Sequence, residues 1–345
     1  MLEGASRCVP QTGRARGLSR EYRVEAAMKI DIFSHFMPEK YLKLLRDRAK
    51  PDADVSELGQ WVDSNPALTQ VDMRLRVMER YPDVLQVLTM ATPPLETVVG
   101  ESDAIELARL GNDEMARLVS TYPNRFVAAV ACLPLSDVAE SMQETERAIT
   151  KLNFRGIQVF TNINGEGLNE PKFRPLLEMM ARYDLPIWIH PWDLPQSTVS
   201  PHSRQWLKGP HVLHGLRWPF ETSVTMVRLV ESGVFEEFPG IKFITHHCGG
   251  MIPFFGDRIG GAPGLKNFYN DTALYGSTPA LMCGLAWFGC DKILFGTDMP
   301  LGASKSGSYG RTLDTIESIQ RMDISEGDRE KIFSGNARRL LKLLM

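Results

Sequence analysis

From Met28 onward, short apolar and β-branched runs alternate with longer stretches in which apolar residues return at helical spacing. That is the βαβα pattern of a parallel sheet wound or closed by helices. Candidate strands fall at residues 29–32, 84–90, 126–132, 156–160, 187–190, 242–245, 267–271 and 292–295. Eight is the barrel number, so the pattern predicts an α/β fold of the (β/α)8 TIM-barrel type, with residues 28–345 as a single domain.

Between the strands, residues 103–122 carry Ile105, Leu107, Ala108, Asn112, Met115 and Leu118 at near-helical spacing and end at Tyr122-Pro123. Residues 136–152 read likewise, with Ser136 as N-cap and Asp137 in the first turn. The segment 171–183 begins with a proline, whose missing N–H costs nothing there, and 221–233 ends on a glycine suited to a C-cap. Three further helical segments, near 312–322, 325–333 and 336–344, are expected to close the bottom and side of the barrel. Two insertions leave the rim where barrel enzymes do their chemistry. Residues 38–66 follow strand one and read as a lid or loop around "PDADVSEL"; residues 192–220 follow strand five and hold three histidines and three tryptophans.

A net charge of -3 gives no field for a polyanion, so no nucleic-acid partner is expected. No apolar run reaches 18 residues and no charged-then-apolar leader is present, which supports neither membrane insertion nor export and leaves the cytoplasm as default compartment. The five cysteines are odd in number and lack Cys-x-x-Cys spacing, so reduced thiols are expected. Residues 1–27 differ from the rest, with five arginines, no lysine and little apolar period. They read as a disordered tail or an upstream start codon, an organelle-targeting segment being the lesser reading.

The candidate chemistry sits at strand exits. His35, His190, His247 and Asp298 each fall just past an apolar run, in "KIDIFSHFMP", "LPIWIHPW", "IKFITHHCGG" and "KILFGTDMP". Three imidazoles and a carboxylate at four exits suggest a metal-assisted site. Buried at a strand end, Asp298 calls for a nearby cation, because an uncompensated buried carboxylate is costly. His246 and His247 are adjacent, so in a continuing strand only one faces the interior. His247 is taken as that one, ahead of the close approach allowed by Gly249 and Gly250, and His246 as packing or support. Cys248 reads as a small space-filler, and Asn270 and Asp271 as a turn or as hydrogen-bonding support for the site. Phe33 stands two residues before His35, and phenyl carbons cannot ligate a metal.

With "WPFETSVTMVRLVESGVFEEFPG", "FYNDTALYG", "ILFGTDMPLG" and "IFSGNARRLL", these motifs occur in order from about Met28 to Leu344. Together they resemble the amidohydrolase-related decarboxylases, in particular the aminocarboxymuconate-semialdehyde and γ-resorcylate decarboxylases. The resemblance implies one divalent metal, Zn²⁺ first and Mn²⁺ second, held by His35, His190 and Asp298, with His247 as acid/base and Asp298 also catalytic. In that family the strand-one metal motif is His-x-His or Glu-x-His, and Phe33 occupies its first position here. Strand four ends in "GIQVF" without a lysine, which argues against the carbamylated-lysine, two-metal version of the superfamily. By the same resemblance Arg258 reaches a neighbouring subunit's substrate carboxylate, Trp192 stacks on a planar substrate, and the protein forms a homodimer or higher homo-oligomer.

The implied reaction is non-oxidative decarboxylation of a small planar unsaturated or aromatic carboxylic acid. Losing CO₂ from an sp² carbon leaves a carbanion without stabilising overlap, so that carbon must first be protonated or made sp³. The resemblance allows either His247 activating a metal-bound water or Asp298 delivering the proton while His247 positions the substrate. Two other readings stay open at this point: a lactonase-like hydrolase or hydratase on the same scaffold, and a metal-free degenerate barrel, which Phe33 motivates.

Overall fold

The computed structural model describes residues 28–53, 55–193, 213–301 and 311–344. Strand β1 (Lys29–Phe36) pairs in parallel with β2 (Val84–Met90), and β2 with β3 (Phe126–Ala129). A second parallel set runs β4 (Ile157–Phe160), β5 (Ile187–His190), β6 (Phe243–Thr245) and β7 (Tyr269–Asn270). Parallel bridges Ala131↔Ile157, Asn270↔Ile293 and Ser34↔Met299 link the two sets through the eighth segment, residues 292–299. Backbone bonds from Leu294 N to Asn270 O (2.8 Å) and Ile32 N to Phe295 O (3.0 Å) complete the ring. The chain therefore has the expected barrel architecture, although the eighth segment is held by bridges instead of a regular ladder. The third and seventh strands are shorter than expected, and a 3₁₀ turn, Pro263–Asn267, replaces the start of the seventh.

The irregularity at the seam has a local cause. Pairing of β1 with β2 shifts between Asp31 and Ser34. The buried Asp31 carboxylate substitutes for ladder bonds, accepting from Phe33 N (3.2 Å), Ser34 Oγ (2.8 Å), Thr297 N (3.0 Å) and Thr297 Oγ1 (2.6 Å). Burial still pushes Asp31 up to about 6 against those four donors. The same seam continues upward through Asp298 N to Phe33 O (3.1 Å) and His35 N to Met299 O (2.8 Å). One buried carboxylate thus ties the first strand to the last at the level just beneath His35 and Asp298.

Inside the ring, Ile30, Ile32, Val87, Ala128, Val130, Trp188, Ile244 and Leu294 form a dry core, closed below by Ala337, Leu340 and Leu341 of the helix Asn336–Leu341. Trp188 spans this core and donates from Nε1 to Ile32 O at 3.0 Å. Its ring needs Gly156, where a Cβ would meet Pro186 O at 2.2 Å and the indole at 2.5 Å. Outside, the helix Glu101–Thr121 buries Ala104, Leu107, Ala108, Met115 and Leu118, and its Asn112 clamps Cys132 through both backbone groups at 2.9 Å. The cap of the helix Val138–Thr150 is Asp137, which accepts from Glu140 N, and not Ser136. A carboxylate one residue later reaches the free N–H groups that Ser136 was expected to serve. The insertion after β1 is not a plain loop: it contains the helices Glu39–Asp47 and Ser56–Ser64. Most of the insertion after β5, including Trp206, lies outside the described residues, as do residues 1–27. Among the described residues no helix is long and apolar enough to cross a membrane, and the four described cysteines are free.

Glu96, in the one-turn helix Leu95–Val98 after β2, is 4% exposed, and neither carboxylate oxygen has a hydrogen-bond partner among the described residues. Burial pushes it up to about 7, with Lys50 opposing. The folded chain therefore favours the protonated form, and this contribution to stability is present below the unfolded value of 4.5 and is lost as pH rises through about 7. Glu96→Gln should raise unfolding stability by up to about 3 kcal/mol at pH 8 and leave it unchanged near pH 4.5. Urea unfolding at the two pH values checks this; an equal effect at both would remove the assignment.

Candidate metal centre

Four side chains meet at the C-terminal mouth of the ring. His35 comes from β1, His190 ends β5, His246 directly follows β6, and Asp298 follows the eighth segment. All three rings are fully buried and Asp298 is 3% exposed. Ring centroids lie 5.0 Å apart for His35–His190, 5.1 Å for His190–His246 and 5.8 Å for His35–His246. One ligand atom from each of these histidines falls within 4.8 Å of the other two, and the same holds for His246, His247 and Asp298.

Each of the three histidines has its outer nitrogen engaged. His35 Nδ1 pairs with Thr89 Oγ1 at 3.2 Å, His190 Nδ1 donates to Pro191 O at 2.7 Å, and His246 Nδ1 pairs with the buried carboxylate of Asp271. Their Nε2 atoms are buried and have no hydrogen-bond partner among the described residues. Fixing one ring nitrogen fixes which lone pair is left free, and here the free ones converge. Buried polar groups in native proteins are almost always satisfied, so several orphaned acceptors around one carboxylate fit a shared cation.

The electrostatics agree. Burial alone would raise Asp298, but His246 and His35 outweigh it and hold the carboxyl well below its usual range. Burial pulls His35 down despite Asp298, and His190 well down with help from its neighbouring rings, so both are neutral donors. Burial also lowers His246, yet Asp271 and then Asp298 win and push it up to about 10, so without an ion this ring is charged and its Nε2 lone pair is offered only when a cation displaces that proton. His247 has no such partner, and burial beside His246 holds it down to about 3. The second Asp298 oxygen accepts from Tyr275 at 3.1 Å, and the Arg311 guanidinium lies over that tyrosine's ring.

Residues 30–343 match the family profile described as Amidohydrolase. The chain belongs to the amidohydrolase family. This amidohydrolase is 30% identical over 349 residues to a gamma-resorcylate decarboxylase of Polaromonas sp. strain JS666, covering 91% of this chain and 98% of that one. It is 28% identical over 352 residues to the 2-amino-3-carboxymuconate-6-semialdehyde decarboxylase of Dictyostelium discoideum, covering 92% of each. Among solved structures, a dihydroxybenzoic acid decarboxylase of Polaromonas sp. JS666 with bound manganese and the inhibitor 2-nitroresorcinol aligns with a TM-score of 0.74 at 27% identity, covering 92% of this chain and 97% of that one.

In this amidohydrolase His35 Nε2 lies 3.2 Å from Asp298 Oδ1, and the His35 ring lies 5.0 Å from that of His190. The adjacent pair departs from expectation. His246 is not mere packing: it faces the centre, with Nε2 3.3 Å from Asp298 Oδ1. His247 does not point to the opposite side, because the strand ends at Thr245 and His247 turns into the left-handed region at φ 54°. Its ring then stacks on His246 at 4.0 Å, and Phe33 stacks on the other face of His246, also at 4.0 Å. Cys248 and Asp298 adopt positive φ as well, a conformation non-glycine residues hold only where surrounding structure enforces it. Cys248 packs its sulfur against Gly284, and burial keeps the thiol protonated, in keeping with a space-filler. Trp192 is half-buried, anchored through its backbone to Thr161 and Asn162, with its ring edge-on to Phe160 beside His190. Arg258 is exposed. Tyr275, Thr89 and Arg311 were missed, since a single polar residue in a loop, within a strand or at a helix start carries no spacing signal.

Gly250 anchors the turn that presents His247. Its φ is +61°, and a Cβ there would lie 2.2 Å from Pro219 O and 2.8 Å from Ser223 Oγ. Gly250→Ala should cost at least about 2 kcal/mol of unfolding stability through strain and displaced helix backbone. Chemical denaturation measures it, and a neutral result would mean the turn is not held as described.

Proposed function

We propose that this chain is a metal-dependent, non-oxidative decarboxylase acting on a small planar aromatic or unsaturated carboxylic acid. The observation that carries this reading is the convergence of buried, unpartnered imidazole nitrogens on Asp298 at the mouth of a barrel whose relatives are named decarboxylases. His35, His190 and Asp298 would hold a divalent ion, Zn²⁺ or Mn²⁺. When bound, that ion supplies Lewis acidity to a substrate carboxylate and a neighbouring oxygen. A metal-free degenerate barrel leaves those nitrogens without a purpose.

The chain's own groups then serve the proton. In decarboxylation the ring carbon bearing the carboxylate gains a proton, the C–C bond breaks, its electron pair returns to the ring and CO₂ departs. His247 is a neutral ring whose Nδ1 has no hydrogen-bond partner among the described residues, and it is 6% exposed where His35, His190 and His246 are sealed. It can therefore hold or pass a proton at Nδ1 at the mouth of the site. Asp298, with one oxygen toward the histidines and the other toward Tyr275, can carry the proton to the carbon. Trp192 and Trp218 flank the mouth, the latter with its ring 6.4 Å from that of His247 at a shallow 25° angle, and they exclude water from a flat substrate.

His247→Ala or Asp298→Ala should lower kcat for CO₂ release by at least about two orders of magnitude, with circular dichroism unchanged. Turnover at the wild-type rate in either variant would remove that residue's role. The same reading includes a homodimer. Arg258 sits beside Phe254, Phe255 and Ile259, which are 76%, 43% and 45% exposed, an apolar patch of the kind a subunit interface covers. Arg258→Ala should raise KM several-fold with a smaller change in kcat; an unaltered KM would separate this arginine from the substrate.

A further inference from the structure

The ligand set proposed above uses two imidazoles and one carboxylate, and rests on motifs in which Phe33 contributes nothing. The structure contains one more donor at the same point. We propose that His246 is a metal ligand of this protein, so that His35, His190, His246 and Asp298 grip the ion together. The third imidazole is delivered from the exit of β6 instead of from β1. This inference rests on the metal reading of the site and extends it.

Three independent features of His246 point the same way. The first is distance. Its Nε2 lies 3.3 Å from Asp298 Oδ1, and His35 Nε2 lies 3.2 Å from the same oxygen. Tetrahedral bonds of about 2.1 Å would set neighbouring donor atoms about 3.4 Å apart. The second is direction. Although both nitrogens are close to that oxygen, among the described residues neither completes a hydrogen bond to it. Ligands of a shared ion would leave that bond unmade.

The third is orientation. Asp271 binds His246 Nδ1 through one oxygen, while its other oxygen accepts from Cys248 N at 3.1 Å and Ala273 N at 3.0 Å. A carboxylate locked in this way keeps the proton on Nδ1 and the lone pair on Nε2, the arrangement that supports metal-bound histidines. The ring is also trapped between two others, with Phe33 at 4.0 Å and 18° on one face and His247 at 4.0 Å and 26° on the other. Phe33 cannot donate to a metal, but as a flat, fully buried wall it holds the ring that can.

The test uses the full chain and compares wild type with His246→Gln, Asp271→Asn and His35→Ala. Bound metal is counted by elemental analysis after dialysis, the Zn²⁺ affinity is measured by chelator competition, and imidazole ligands of the Co²⁺-loaded protein are counted by X-ray absorption. Wild type should hold one ion on three imidazoles. His246→Gln should show two imidazoles and bind Zn²⁺ at least about 100-fold more weakly, while Asp271→Asn, which keeps every donor atom, should bind about 10- to 100-fold more weakly. Thermal melts in excess chelator confirm folding of each variant, and Asp271→Asn carries the test if His246→Gln fails to fold. A wild-type count of two imidazoles, or unchanged affinity in both His246→Gln and Asp271→Asn while His35→Ala loses the ion, overturns the His246 assignment and leaves the proposed function standing. A wild type that takes up no ion at all overturns both.

Discussion

A carboxylate buried under a ring of imidazoles is the constraint around which this molecule is arranged. Asp298 has left water almost completely, and an isolated anion in that position would be intolerable. Its surroundings answer with imidazoles from three other strand ends, each steadied from behind by Thr89, Pro191 or Asp271, and with Tyr275 on the far oxygen. Removing the supports would free the rings to turn; removing the anion would leave the rings with nothing to face. The barrel's role is to bring these groups from distant parts of the chain to within one ion's reach.

Much of this was legible beforehand. The alternation of apolar runs with helical periods gave the barrel, because each strand is buried on both sides and each helix on one. Strand ends mark the catalytic rim in such folds, so a histidine or aspartate just beyond an apolar run singles out His35, His190 and Asp298 as candidates. The same period shows its weakness at the eighth segment, where the apolar run is present but the ladder is irregular because Asp31 replaces backbone partners with its side chain. Boundaries governed by side-chain hydrogen bonds, such as the cap at Asp137, cannot be read from hydrophobic spacing alone.

The adjacent histidines were misread for an instructive reason. Alternation of side chains is a property of extended backbone, and it lapses the moment φ turns positive. His247 and Cys248 both lie in the left-handed region, where glycine would have advertised the turn; the glycines that do appear come one residue later. Two neighbours can therefore share one face, and a column of rings, Phe33, His246 and His247, builds up across the mouth. The phenylalanine that looked like a defect in a metal motif becomes the base of that column.

The seam at Asp31 also bears on how the site comes into being. Its partner Thr297 lies 266 positions away in sequence, and the backbone bonds that set His35 beside Asp298 run along the same join. Closing so long a loop must precede any contact across it, and long-range pairing of this kind is slow. During synthesis the first donor emerges early and waits for nearly the whole polypeptide before its counterpart arrives. Assembly of the site is on this account a terminal event of folding.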